Sequence, residues 1–149
     1  MTILQDSSPA REAVAAVLRV LVVFDAIALL FAGIVHFFGA SIALGAGTFV
    51  EPPILPAGIV ETLAGVLFVV AAYAIFARQS WAWGMTLAAH LFAIAGFIVG
   101  ILSTLRGTSP FNYYYHRVML AVFVIGLILV LIPAGRAALR FGARAGHDR

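Results

Sequence analysis

Residues 54–77 read ILPAGIVETLAGVLFVVAAYAIFA, an apolar run of 24 residues with a proline near its start and a single charge, Glu61. As a helix rising 1.5 Å per residue it would be roughly 36 Å long, enough for a hydrocarbon layer of about 30 Å. A lone strand in lipid would leave its backbone groups unpaired, so helix is the state that fits. Three further runs have the same character, at 17–38, 81–102 and 113–134, each of 22 residues.

The composition agrees with this reading. Of 149 residues 64% are hydrophobic and 10% charged, and the mean hydropathy is +1.11. Soluble domains carry about 25% charged residues, so a water-soluble enzyme and a disordered linker are both excluded. The chain reads as all-α: one integral membrane domain over 1–149, a bundle of four antiparallel transmembrane helices with 135–149 as a basic cytoplasmic tail. The first run is longer than the apolar part of a signal peptide and holds Asp25, both arguing against cleavage.

The connections carry turn chemistry. Residues 39–53 include three glycines and Pro52-Pro53, residues 78–80 are Arg-Gln-Ser, residues 104–110 contain Gly107 and Pro110, and Pro133 and Gly135 close the last run. All nine basic residues are arginine. They sit at the ends of the apolar runs rather than in a stripe, which argues against nucleic acid as a partner. Arg11, Arg19, Arg78, Arg136, Arg140, Arg144 and Arg149 fall on one side of an even-span topology, and Arg106 and Arg117 on the other. The positive-inside rule then expects both termini in the cytoplasm, and arginine without lysine beside abundant Ala, Gly and Val suggests a GC-rich bacterial genome, hence a bacterial inner membrane. The arginines of the tail recur at spacings of four, which fits a short helix on anionic headgroups and equally a frayed terminus.

Trp81 and Trp83 read as an inner aromatic belt and Tyr113, Tyr114 and Tyr115 as an outer one. Gly96-x-x-x-Gly100 reads as a place where a neighbouring helix approaches closely. His147, in the tail, reads as a surface residue.

Six ionisable residues fall inside the runs: Asp25, His36, Glu61, His90, His116 and Arg117. Such residues are costly in lipid and ask for a partner or a cavity. Asp25 and His90 each lie roughly 12–13 Å from the cytoplasmic side, so the two are at one depth. His36, Glu61, His116 and Arg117 form a second layer near the outer face. Asp25 and His36 are eleven residues apart, about three turns, and share one helix face with Ala32 between them.

Several readings of these residues stay open. They are buried polar groups that specify packing, or a site that handles protons, ions or a quinone headgroup. Haem b would need two imidazoles at one depth, and His36 with His116 is the candidate pair, His90 standing alone. A metal site of His36, Glu61 and His116 has suitable ligand types. With no cysteine there is no disulfide, thiolate or iron–sulfur chemistry.

Arg19 at the opening of the first run, Gly33 and His36 near its end, the proline-rich approach to the second run and then Ile59-Val60-Glu61-Thr62-Leu63-Ala64-Gly65 resemble the DoxX-like group of small four-helix bacterial membrane proteins. The likeness covers mainly residues 17–102. The lysine more usual near the end of the first span is His36 here, and the first outer connection is long. The resemblance implies a membrane subunit of a respiratory or thiol redox system. Relatives include membrane components of thiosulfate–quinone oxidoreductases, and Arg19, His36 and Glu61 would be the quinone-site or proton-handling residues.

The function expected is therefore that of a small membrane subunit, more a non-catalytic one than a stand-alone enzyme, in a homo-oligomer or larger complex within the lipid bilayer. A proton-coupled transporter or channel-like pathway and a purely structural assembly subunit are the alternatives.

Overall fold

A computed structural model of the chain describes residues 8–44, 47–105 and 110–141. Arg106, Arg144, His147 and Arg149 lie outside the described residues. The elements in order are α1 (Pro9–Phe38), a hairpin of β1 (Ala40–Leu44) and β2 (Gly47–Glu51), α2 (Leu55–Phe76), α3 (Ala82–Thr104), α4 (Pro110–Leu131) and the short α5 (Pro133–Leu139). α1 to α4 are each long and apolar enough to cross a membrane, so this is a multi-pass membrane protein built as a helical bundle.

α1 begins two turns before the apolar run that announces it. Ser8 accepts a hydrogen bond from the Arg11 amide at 3.3 Å, Pro9 occupies the first turn, and Glu12 lies near the positive end of the helix dipole. The helix ends where Gly39 adopts a φ of 72°, a region that suits glycine.

At the other end of the chain the structure departs from the sequence expectation. The last span stops at Leu131 rather than at 134, and the chain bends at Ile132 into α5. Pro133 has no N–H to give the Leu129 carbonyl. Gly135 lies against that carbonyl so closely that a β-carbon there would collide with it. The Trp83 indole N–H donates to the Val130 carbonyl at 3.2 Å, capping the broken end. α5 buries Gly135, Ala138 and Leu139 and packs on α1 and α4. Arg136 and Arg140 lie 5.8 and 5.1 Å from the Trp83 ring. The first part of the tail is thus a helix docked on the bundle.

The bundle faces follow helical spacing. α1 buries Leu18, Val22, Asp25, Leu29, Ala32 and His36, while Val20, Ile27, Phe31 and Ile34 are 69, 65, 61 and 57% exposed on the far side. An apolar stripe turned outward is what a helix facing lipid presents. α1 and α2 pack through glycines: Phe37 covers Gly58, Thr62 meets Gly33, and Leu30 covers Gly65. In the middle, Phe68 of α2 stacks on Phe123 of α4 at 5.8 Å, and Phe97 of α3 meets Phe123 edge-on at 4.9 Å.

The first connection, expected only as a turn-rich segment, contains the two-stranded hairpin. Its strands pair antiparallel, with Ala40 opposite Glu51 and Ile42 opposite Phe49. Because β1 starts two residues after α1 ends, this register returns Glu51 to the tip of α1. The Ile54 amide then donates to the His36 carbonyl at 2.7 Å.

Gly96 and Gly100 do not receive a helix backbone. Gly96 meets the Val60 side chain and Gly100 the His116 ring. The small residues of α3 make room for side chains.

A carboxylate and histidine centre beside a lateral cavity

Two centres of buried polar side chains lie at different depths. At the hairpin end, His36 of α1 is bound through Nδ1 to Glu61 Oε2 of α2 at 2.5 Å. Its Nε2 looks toward Glu51 Oε1 at 3.9 Å. Glu51 in turn accepts a hydrogen bond from Asn112 Nδ2 of α4 at 2.9 Å. The Tyr115 phenol, also on α4, interacts with Glu61. Closed through the backbone of α4, which carries both Asn112 and Tyr115, the contacts form a ring, Asn112–Glu51–His36–Glu61–Tyr115, that ties the hairpin to three helices. His36, Glu51, Glu61 and Asn112 are each no more than 3% exposed.

His116 stands beside this ring. Its Nδ1 donates to the Asn112 carbonyl one turn back at 2.8 Å, its ring lies against Gly100, and Phe97 packs on it at 5.2 Å. Glu61, His116 and Asn112 all line a cavity of about 650 Å³ between α2, α3 and α4. Ser103 and Thr104 add hydroxyls, and Val60, Phe92, Ala95 and Val99 form apolar walls. Phe92 and Val99 are 38 and 66% exposed, so the cavity opens sideways onto the lipid-facing surface. Its size is that of a site for a small organic molecule.

The second centre is nearer the α5 end. Asp25 of α1 and His90 of α3 are both fully buried, with Oδ2 and Nε2 4.0 Å apart. His90 Nδ1 donates to the Thr86 carbonyl at 2.8 Å. Phe68 packs edge-on against the His90 ring at 4.9 Å. The contacts of Phe68, Phe123 and Phe97 therefore form an aromatic layer between the two centres.

The residues singled out in the sequence fall into place unevenly. Asp25 and His90 meet, as equal depth allowed. His36, Glu61 and His116 gather at one end. Arg117 does not join them: its guanidinium lies over the Tyr113 ring at 3.4 Å and donates to the Tyr113 carbonyl at 2.7 Å. Arg19 is exposed on α1 and contributes nothing to the cavity. Of the three tyrosines read as a belt, Tyr113 and Tyr114 are exposed and Tyr115 turns inward.

The haem pairing does not fit. His36 turns both ring nitrogens to carboxylates, and the Nε2 edge of His116 abuts Gly100. Among the described residues no three His, Asp or Glu side chains form a group that could hold a metal ion, and this includes His36, Glu61 and His116.

Glu51, Asn112 and Tyr115 escaped the sequence reading. Glu51 lay in a connection with no apolar pattern, and Asn112 and Tyr115 looked like boundary residues. One signal was present: the spacing His-x6-Phe-x2-Gly occurs twice, as His90–Phe97–Gly100 and His116–Phe123–Gly126. In the bundle the two copies serve each other. His116 of α4 packs on Gly100 of α3, and His90 of α3 packs on Gly126 of α4. No family model, curated protein or solved structure matches the chain.

Proposed function

We propose that this protein is a small membrane subunit of a quinone-linked redox system, taking an isoprenoid quinone or a similar amphiphile from the bilayer into the cavity between α2, α3 and α4. The observation that carries the reading is the cavity itself: apolar walls open to lipid, with Glu61, His116 and Asn112 converging at one end. A headgroup placed there meets the second Asn112 amide hydrogen as a donor and the Ser103 and Thr104 oxygens as acceptors, since their hydroxyl protons are given to carbonyls of α3. The Glu61 carboxylate and His116 are groups able to take or give a proton, and the apolar tail would lie along Val60, Ala95 and Val99. Electrons would pass to a partner in a larger complex, because the chain has no cysteine for thiol or iron–sulfur chemistry. The resemblance to the DoxX-like group points to the same setting. The collection of Arg78, Arg136 and Arg140 at the α5 end supports, through the positive-inside rule, an orientation with that end and both termini in the bacterial cytoplasm.

The test is labelling with a photoreactive short-chain quinone in nanodiscs. Expected is attachment to residues of α2, α3 and α4 around the cavity, competed by unlabelled quinone and lost in Ala95→Phe, which fills the cavity from its exposed side. Labelling that Ala95→Phe leaves unchanged, or that scatters over the lipid face, would exclude the site. Purification from the source membrane in mild detergent tests the other half, which requires a stoichiometric oxidoreductase partner.

A proton-conducting pathway is the second reading, favoured by the buried Asp25–His90 pair. The aromatic layer of Phe68, Phe123 and Phe97 separates that pair from the cavity, which favours the first reading over it.

A further inference from the structure

The Asp25–His90 pair is built in a way that the cavity does not require. His90 Nδ1 is committed as a donor to the Thr86 carbonyl, so a neutral His90 presents the Nε2 lone pair to Asp25 Oδ2. An ionised Asp25 would then oppose a lone pair, with neither group satisfied. Both Asp25 oxygens and His90 Nε2 have no hydrogen-bond partner, and both residues are fully enclosed. Their surroundings are apolar: Phe68 lies on the His90 ring and Gly126 faces its Nε2 edge. Among the described residues no third charged side chain acts on either group.

One additional proton removes the opposition between Oδ2 and the Nε2 lone pair, and a rotamer adjustment that closes their 4.0 Å separation turns it into a hydrogen bond. Held on Asp25, it makes the carboxyl a donor to Nε2; held on Nε2, it makes a charge-assisted pair with the carboxylate. In both arrangements the pair carries one proton beyond that on Nδ1 and has no net charge, the form that lipid depth and an apolar enclosure favour. We propose that Asp25 and His90 form an intramembrane site for a single proton, shared between Oδ2 and Nε2 and walled from the lateral cavity by the aromatic layer. Gly126 is part of the device, because only a residue without a β-carbon lets the His90 ring reach this position. The proposal does not depend on what the cavity binds.

The protein in nanodiscs, labelled with ¹⁵N-histidine, provides the test without any ligand. Solid-state NMR reports whether His90 Nε2 carries hydrogen or accepts a hydrogen bond, with His90→Gln assigning the signal. Infrared spectra in H₂O and D₂O report whether Asp25 is a protonated carboxyl, with Asp25→Asn assigning the band. Expected is one of two matched results: a protonated Asp25 with Nε2 as acceptor, or an ionised Asp25 with Nε2 protonated. Gly126→Ala, which changes neither titratable side chain but sets a β-carbon against the His90 ring, should shift the His90 signal and leave that of His116 in place. An ionised Asp25 together with a bare or water-bound Nε2 in the wild-type protein would overturn the proposal, and these readings need no variant to fold.

Discussion

His36 and Glu61 lie on different helices, 25 positions apart in sequence, yet their side chains meet at 2.5 Å with almost no exposure. The contact is set by the glycine packing of α1 on α2, which brings Phe37 onto Gly58 and Thr62 onto Gly33. The pair is therefore held by backbone proximity as well as by its own attraction. Removing one partner strands the other in an apolar interior. Glu61→Ala should cost about 3 kcal/mol or more, measured by unfolding in mixed micelles. Adding His36→Ala to it should cost less than the sum of the single changes.

The ring of polar contacts at the hairpin end gives Glu51 a mechanical task. Glu51→Ala removes the acceptor for Asn112 and the anchor of the hairpin, so amide exchange over residues 40–51 should quicken while α1 and α2 keep their protection. Glu51→Gln keeps an oxygen for Asn112 and should behave close to wild type. Hydrogen exchange read by mass spectrometry separates the two variants.

Glycines of this bundle are not equivalent. A β-carbon at Gly100 or Gly126 would overlap a histidine ring, whereas one at Gly84 meets nothing within 4 Å. Gly100→Ala and Gly126→Ala should each destabilise by about 1–3 kcal/mol through overpacking. Gly84→Ala should stabilise by about 0.5 kcal/mol through helix propensity. Thermal denaturation in one detergent would rank all three.

The docking of α5 depends on Trp83, which caps the Val130 carbonyl and lies beneath Arg136 and Arg140. Trp83→Phe retains a ring for the guanidinium groups and loses the cap, at a cost of about 1 kcal/mol. Trp83→Ala loses both. Limited proteolysis at Arg136, within α5, and at Arg140, just past its end, should be faster in Trp83→Ala than in Trp83→Phe.

The aromatic layer between the two centres also has a measurable consequence. Liposomes holding the purified protein should acidify no faster than empty ones under a pH gradient. A leak abolished by Asp25→Asn or Glu61→Gln at normal expression would instead establish the pathway reading.

Much of this was legible in the sequence, and the limits have physical reasons. Four spans followed from hydropathy and length alone, and equal depth matched Asp25 with His90 because rise per residue is fixed in a helix. Rotation about the helix axis is not fixed by depth, so nothing in the order of residues separated Arg117, which lies over Tyr113, from His116 beside it. The end of α4 was placed at 134 because the apolar run continues past Leu131, although Pro133 and Gly135, both read as closing signals, mark a break that falls three residues earlier. Glu51 could not be found by pattern, since its position is set by hairpin register, a contact between strands rather than a property of either one.

The reciprocal seating of His90 on Gly126 and His116 on Gly100 limits how this molecule can move. Each ring occupies a notch on the opposite helix, and on both α3 and α4 the ring and the notch are ten residues apart. Sliding one helix along the other by a single residue would drive both rings into neighbouring side chains at once, so α3 and α4 should move together as one plate. Widening of the lateral cavity must then come from α2 swinging away from that plate, carrying α1 with it through their shared glycine contacts.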